Sequence, residues 1–310
     1  MATPTRKLDT FLNIPNFADL LPPPKVGHYR YFEGHQRFPF AYQTAQHSAI
    51  NAWWLADYSL LVYENEQKIK TIFDDLWGKQ TYRFAWLESH ETSSQGFLVE
   101  TADYAVMVFR GTEFPPPSVL LQFPLTLIDI IKDILTDIED ITPQTIATEN
   151  LTFDVPVHTG FVEALQSLWQ PIQAQLDVIG FKPLFLTGHS LGGAIATLLA
   201  FQLKAQQFRS LYTFGCPCVG DVQFAQAFHD KNLDEKTYRY WRGDDAVAKG
   251  FTLTGQDYQP VGQEFWFEGG LHSSKLEKGI NTAINNTIGL NQLDHPPILY
   301  CYDCWNAIPD

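Results

Sequence analysis

LFLTGHSLGGAIATLLA spans Leu184 to Ala200. An apolar run, LFLT, stops at Gly-His-Ser-Leu-Gly, and a stretch of strong helix formers follows. With 20 Gly and 11 Ser in 310 residues, chance supplies roughly 0.05 Gly-x-Ser-x-Gly matches in a chain of this length. The flanks sharpen the signal further. A strand entering a sharp turn and leaving as a helix is the setting that exposes a reactive serine. Side chains two before and two after such a serine would collide across the turn, so Gly188 and Gly192 stand where side chains cannot. Ser190 would then project from the carboxyl edge of a sheet, where open α/β sheets place their sites. The N-terminus of the next helix would favour negative charge developing beside it. The bland alternative is a glycine-rich turn capped by a serine.

A serine is a weak nucleophile until a base takes its proton and an acid orients that base. On a strand–turn–helix of this kind the chain order is Ser, then Asp or Glu, then His. Three histidines follow the turn: His229 on a predicted helix surface, His272 in a glycine-rich loop, and His295 just before two prolines that stiffen the chain. His295 is favoured over His272. His189 adjoins the serine and cannot turn back on it. Among the acids, Asp221 is expected to cap the helix VQFAQAFH. Asp244 and Asp245 follow the predicted strand TYRYWRG, at a carboxyl end, and the pattern leaves the choice between them open.

Working outward, YRFAWLES, GFLVETA and YAVMVFRG read as three strands, the first two forming a hairpin around HETSSQ. The third is almost wholly apolar, as a strand covered on both faces should be. LFLTG, SLYTFG, TYRYWRG and EFWFEGG are further strands, with helical stretches between several of them. That alternation predicts an α/β fold with a mostly parallel central sheet and helices on both faces. AQHSAINAWWLADYSLLVYENEQKIKTIF (45–73) reads as helical. Residues 1–45, rich in proline and aromatics, are expected to form an irregular arm on the body, and residues 46–310 a single domain.

The formal net charge is −14, which argues against nucleic acid as a partner. No apolar run reaches membrane-spanning length, and the first residues lack the core of a signal peptide. A soluble, cytoplasmic protein is the expectation, with leaderless export invisible to this kind of reading. The cysteines fall in two close pairs, Cys216/Cys218 and Cys301/Cys304. Cys216-Pro-Cys218 is tighter than zinc-binding pairs, so free thiols are expected, with no metal and no cofactor.

Several motifs in order resemble those of the class 3 lipases, the fungal triacylglycerol lipases and their relatives, over about residues 95 to 300. VMVFRGT (106–112) is similar to the family's oxyanion strand, VHTGF (157–161) to its Val-His-x-Gly-Phe, and TGHSLGGAIATLLA to its serine turn. YTFGCPCVGD (212–221) is similar to Tyr-Thr-Phe-Gly-x-Pro-Arg-Val-Gly, with Cys218 in place of the arginine. The resemblance implies an α/β-hydrolase fold and Ser190 as nucleophile. It implies Asp245 as the acid, because DAVA resembles Asp-x-Val-Pro with Ala248 for the proline. It implies His295 as the base, because DHPPILY resembles Asp-His-x-x-Tyr with two inserted residues. Thr112 and the backbone N–H of Leu191 would hold the oxyanion.

The resemblance also implies a lid over residues 113–136. Asp129, Lys132, Asp133, Thr136, Asp137 and Asp140 fall on one helical stripe there, and Leu127, Ile130, Ile131, Ile134 and Ile138 on the other. Residues 119–136 would make transient contact with a lipid interface; an ordinary docked helix is the alternative. The implied activity is hydrolysis of lipid carboxylic esters. A short-chain carboxylesterase, thioesterase or acyltransferase could use the same residues, and a non-catalytic binding protein could keep the fold.

Overall fold

The computed structural model describes residues 29–112, 143–203, 206–249, 257–269 and 294–309. Its strands are β1 (Arg83–Glu88), β2 (Gln95–Glu100), β3 (Ala105–Phe109), β4 (Gln144–Ala147), β5 (Thr152–Val157), β6 (Leu184–His189), β7 (Ser210–Phe214), β8 (Gly220–Asp221), β9 (Thr237–Arg242), β10 (Tyr258–Gln259) and β11 (Gln263–Phe267). Its helices are α1 (Ala49–Leu61), α2 (Glu66–Trp77), α3 (Thr159–Ser167), α4 (Trp169–Ile179), α5 (Leu191–Gln202), α6 (Val222–Asp230), α7 (Ala246–Lys249) and α8 (Pro297–Asn306).

Side chains along a strand point alternately to the two faces of a sheet, and β3 shows what that does here. Ala105, Met107 and Phe109 enter one core, whereas Val106 and Val108 enter the other. The same split runs through β6, with Leu184 and Leu186 on one side and Phe185 on the other. Such strands must be covered twice, and they are. The large sheet has the order β1-β2-β3-β6-β7-β9-β11. From β3 to β11 its neighbours pair in parallel, and β1 and β2 join as an antiparallel hairpin at one edge. Helices α3 to α6 contribute to the first, largely aliphatic core, and α1, α2 and α8 to the second, largely aromatic one. This is the α/β-hydrolase arrangement expected from the motifs.

Two expectations need correction. The helical stretch 45–73 is two helices: α1 ends at Leu61, and the Asn65 side chain accepts the Lys68 N–H at 2.9 Å to start α2. Apolar periodicity carries across that break, but an N-cap side chain restarts the backbone hydrogen bonding. The second is an additional four-stranded antiparallel sheet, β10-β8-β5-β4. It was not foreseen because β8 and β10 are two residues long and β5 contains Pro156, which weakens a strand signal.

Residues 29–45 hold no helix or strand, yet they are anchored. Phe32 is fully buried between Trp54 and Tyr58, with ring centroids 4.8 Å from each. The buried Asp57 carboxylate of α1 accepts the Phe32 N–H at 2.6 Å and the Tyr29 hydroxyl. The expected lid (113–136), the interface stretch 119–136, His272 and arm residues 1–28 lie outside the described residues.

Candidate active site

The turn after β6 is as tight as its glycines imply. A Cβ on Gly188 would sit 2.3 Å from the Gly192 carbonyl carbon, and one on Gly192 would sit 2.1 Å from the Phe109 carbonyl oxygen. Between them Ser190 adopts φ 55° and ψ −129°. That region of the backbone costs a non-glycine residue about 1–3 kcal/mol and persists only where its surroundings enforce it. The enforcement is visible: the Ser190 N–H donates to the Phe214 carbonyl at 3.0 Å, and its carbonyl accepts from Gly193 and Ala194 as α5 begins. The serine side chain is not spent on capping that helix. Its Oγ is buried and has no hydrogen-bond partner among the described residues.

Asp245 and His295 meet on the same edge, 50 residues apart in sequence. His295 Nδ1 lies 2.9 Å from Asp245 Oδ2 and 3.0 Å from Oδ1, and both residues are buried. The Asp245 carboxylate also accepts the Tyr300 hydroxyl at 2.5 Å and the backbone N–H groups of Val247 and Ala248, the first turn of α7. Burial alone would raise its pKa. The facing His295, the hydrogen bonds from His295 and Tyr300, and the Ala248 N–H outweigh burial and hold it below the ordinary carboxylate value. An ionised carboxylate only accepts, so His295 Nδ1 carries the proton facing it and Nε2 presents its lone pair. That Nε2 is buried and, like Ser190 Oγ, has no partner among the described residues. A Cβ on Gly215, the residue after β7, would fall 2.9 Å from Asp245 Oδ2 and 3.0 Å from His295 Nδ1. The end of the interior strand β7, which stabilises the serine turn through Phe214, therefore also floors the acid–base pair.

The neighbouring Asp244 points away and pairs with Lys249 at 2.7 Å, largely exposed. Asp221 caps α6, accepting the Gln223 and Phe224 N–H groups, and His229 is exposed beside Asp234. Leu191 opens α5, where the first N–H groups of a helix have no partner inside it. Thr112 follows Gly111, whose position for a Cβ is 3.2 Å from the Ser190 Cβ. The end of β3 thus runs directly along the serine turn. All four cysteines are buried and unbridged. Burial pushes the Cys216 thiol up to about 12 and Cys218 up to about 11, which keeps both as thiols. Among the described residues no group of three or more His, Cys, Asp or Glu side chains is placed to hold a metal ion.

Two supports of the site were not read from the sequence. Tyr300 was visible only as the last letter of its motif, not as a ligand of the carboxylate. Asp294, next to His295, is buried against Arg242, and its other oxygen accepts the Asp244 N–H at 3.0 Å. Arg242 Nε in turn holds Asp303 of α8 at 2.7 Å. Nothing in the spacing of three residues spread over 242–303 signals that cluster; the pairing of β9 with the loop before α8 creates it.

With this geometry in place, comparison with known proteins is informative. Residues 106–254 match the family Lipase (class 3). A secreted mono- and diacylglycerol lipase of Fusarium solani is 36% identical over 153 residues, 45% of each chain. A lipase of Caenorhabditis elegans, ZK262.3, is 35% identical over 79 residues, 23% of this chain and 22% of its own. The chain thus spans less than half the length of these relatives. Among solved structures, a fungal lipase–inhibitor complex aligns with a TM-score of 0.50 at 16% identity, covering 71% of this chain and 82% of that one; at that identity it bears on the fold alone. The expectation of a cytoplasmic protein is overturned, because the Fusarium solani relative is a secreted enzyme. Among the described residues no helix is long and apolar enough to cross a membrane.

Proposed function

We propose that this chain is a serine hydrolase that cleaves carboxylic esters of lipids. The observation that carries the proposal is the pair of unsatisfied buried atoms, Ser190 Oγ and His295 Nε2, at one sheet edge, with Asp245 locked behind the imidazole. Buried polar groups are almost always paired, so two such orphans at the carboxyl ends of the neighbouring strands β6 and β7 fit groups kept open for a reaction. Ser190 Oγ attacks the ester carbonyl and its proton passes to His295 Nε2. Asp245 holds the ring and stabilises the imidazolium without taking the proton. The backbone N–H groups of Thr112 and Leu191 receive the oxyanion. The imidazolium returns its proton to the departing alcohol, and water then cleaves the acyl-serine by the same route in reverse. The family match and the acylglycerol specificity of the Fusarium solani relative support lipids as the substrate class. Residues 46–310 are proposed to form one catalytic domain.

The test is a fluorophosphonate label together with a chain-length series of p-nitrophenyl esters, on wild type and Ser190→Ala. The expected result is a label on Ser190, lost in the variant, and turnover extending to long acyl chains. Preference confined to short soluble esters would replace lipase with esterase. Absence of both label and turnover would remove the hydrolase proposal.

A further inference from the structure

Behind the serine turn runs a line of buried polar groups that the chemistry above does not use. His189 is fully buried. Its Nε2 lies 2.7 Å from the His295 backbone carbonyl, and its Nδ1 lies 3.2 Å from the hydroxyl of Tyr63, just beyond the end of α1. The Tyr63 hydroxyl in turn meets the backbone N–H of Gly111, next to Thr112. The approach is close: a Cβ on Gly111 would fall 2.3 Å from that hydroxyl and 2.7 Å from the His189 carbonyl.

Each direction along this line is forced. A carbonyl only accepts, so His189 Nε2 carries a proton. Burial first, and then the neighbouring His295, push the His189 pKa down to about 3, so the ring is neutral and its Nδ1 is an acceptor. Tyr63 must therefore donate its hydroxyl proton to Nδ1, which leaves its oxygen to accept from Gly111. Burial keeps that hydroxyl protonated, since it holds the Tyr63 pKa above its ordinary value. The result is a head-to-tail chain: Gly111 N–H to Tyr63, Tyr63 O–H to His189, His189 N–H to the His295 carbonyl. Hydrogen bonds aligned in one direction in a dry interior reinforce one another.

The two ends of the chain are the two backbone segments whose separation matters for the reaction. One carries Thr112, the other carries the His295 ring. We propose that Tyr63 and His189 are positioning residues that tie the oxyanion strand to the base-bearing loop, holding donor and base in register around Ser190. This rests on the serine-hydrolase proposal for its kinetic consequence, but the hydrogen-bond chain itself does not depend on it.

The test has a kinetic arm and a spectroscopic arm. Tyr63→Phe keeps the ring and removes one hydroxyl. With a soluble p-nitrophenyl ester it is expected to lower kcat about tenfold while KM changes by less than about twofold, because a misplaced donor or base is felt in the transition state. His189→Asn should lower kcat as well, and the double variant should be no worse than the weaker single variant, since both break one chain. In imidazole 15N spectra, Tyr63→Phe should move the His189 Nδ1 resonance and, with it, those of the His295 ring. Unchanged kcat, fully additive losses, or His295 resonances blind to Tyr63→Phe would overturn the inference. Should wild type hydrolyse no ester, the functional proposal falls while the spectra still decide whether the chain couples Tyr63 to His295.

Discussion

The proposed nucleophile and the proposed base are delivered from opposite faces of one sheet, and the two faces are built differently. Ser190 heads α5, which sinks into the aliphatic core through Ala194, Ile195, Leu198 and Leu199. His295 precedes α8, which packs with α1 in an aromatic core containing Trp53, Trp54, Tyr58, Tyr212 and Tyr240. On the first face, small residues let a helix lie close to the strands, and shape complementarity supplies the hold. On the second, ring packing is threaded by hydrogen bonds. Ser59 meets Thr187 at 2.9 Å, Asp57 holds the arm, and Asn51 exchanges hydrogen bonds with Ala41. Interlocking apolar shape can place a helix, but hydrogen bonds set orientation, and an imidazole that must face both a carboxylate and a serine needs orientation. The face that carries the proposed base is accordingly rich in directional bonds.

The largest effect should come from joining the two faces in one experiment. Asp245→Asn should cost about four orders of magnitude in kcat on a soluble ester, and Ser190→Ala at least as much. The double variant should lose almost nothing further, because the parts act as a unit. Additive losses would mean that the two faces do not share one reaction.

Stability separates the faces next. Leu198 is fully buried on the aliphatic side, and Leu198→Ala should cost about 2–5 kcal/mol in chemical denaturation as a cavity opens. Asp57→Ala should cost about 1–3 kcal/mol by a different route, stranding the buried Phe32 N–H. Limited proteolysis should then cut near residues 29–45 in the Asp57 variant and not in the Leu198 variant. Equal cutting would erase the distinction between shape and hydrogen bonding.

A pH effect tests the seam between the faces. His189 titrates at an ordinary value of 6.5 when unfolded and at about 3 when folded. As pH falls below 6.5 the unfolded chain binds a proton that the folded chain refuses, so stability declines by up to ~1.4 kcal/mol per unit until the folded value is reached. Between pH 6.5 and 5 wild type should lose ~2 kcal/mol from this source, and His189→Asn should not show that share of the loss. Matching slopes would mean that His189 is reached by water. The smallest effect belongs to a cap at the surface: Asn65→Ala should cost about 1 kcal/mol and fray α2 without altering turnover.

Much of the site could be read in the chain because tight turns and motifs are local. Gly188 and Gly192 had to be small on either side of Ser190 within five residues, and the resemblance of DAVA to the family's Asp-x-Val-Pro implied Asp245 over Asp244. The break between α1 and α2 escaped because apolar periodicity does not register a single capping side chain. The small second sheet escaped because pairs of two residues have no period to read. Tyr63, His189, Asp294, Arg242 and the carboxylate contact of Tyr300 escaped as partners because their meaning lies in what they face, across separations of 50 to more than 100 residues.

By itself the sequence determined the strand–turn–helix at Ser190, the alternation that requires a sheet covered on both sides, and the match of residues 106–254 to a lipase family. These follow from steric limits within a few residues and from hydrophobic period. Only the tertiary structure decided which atoms are left unpaired at the sheet edge. It also decided which carboxylate lies behind His295 and how Tyr63 and His189 link the two backbones beside Ser190. Those outcomes depend on burial and on the directions of hydrogen bonds between distant segments, and neither exists until the chain has folded.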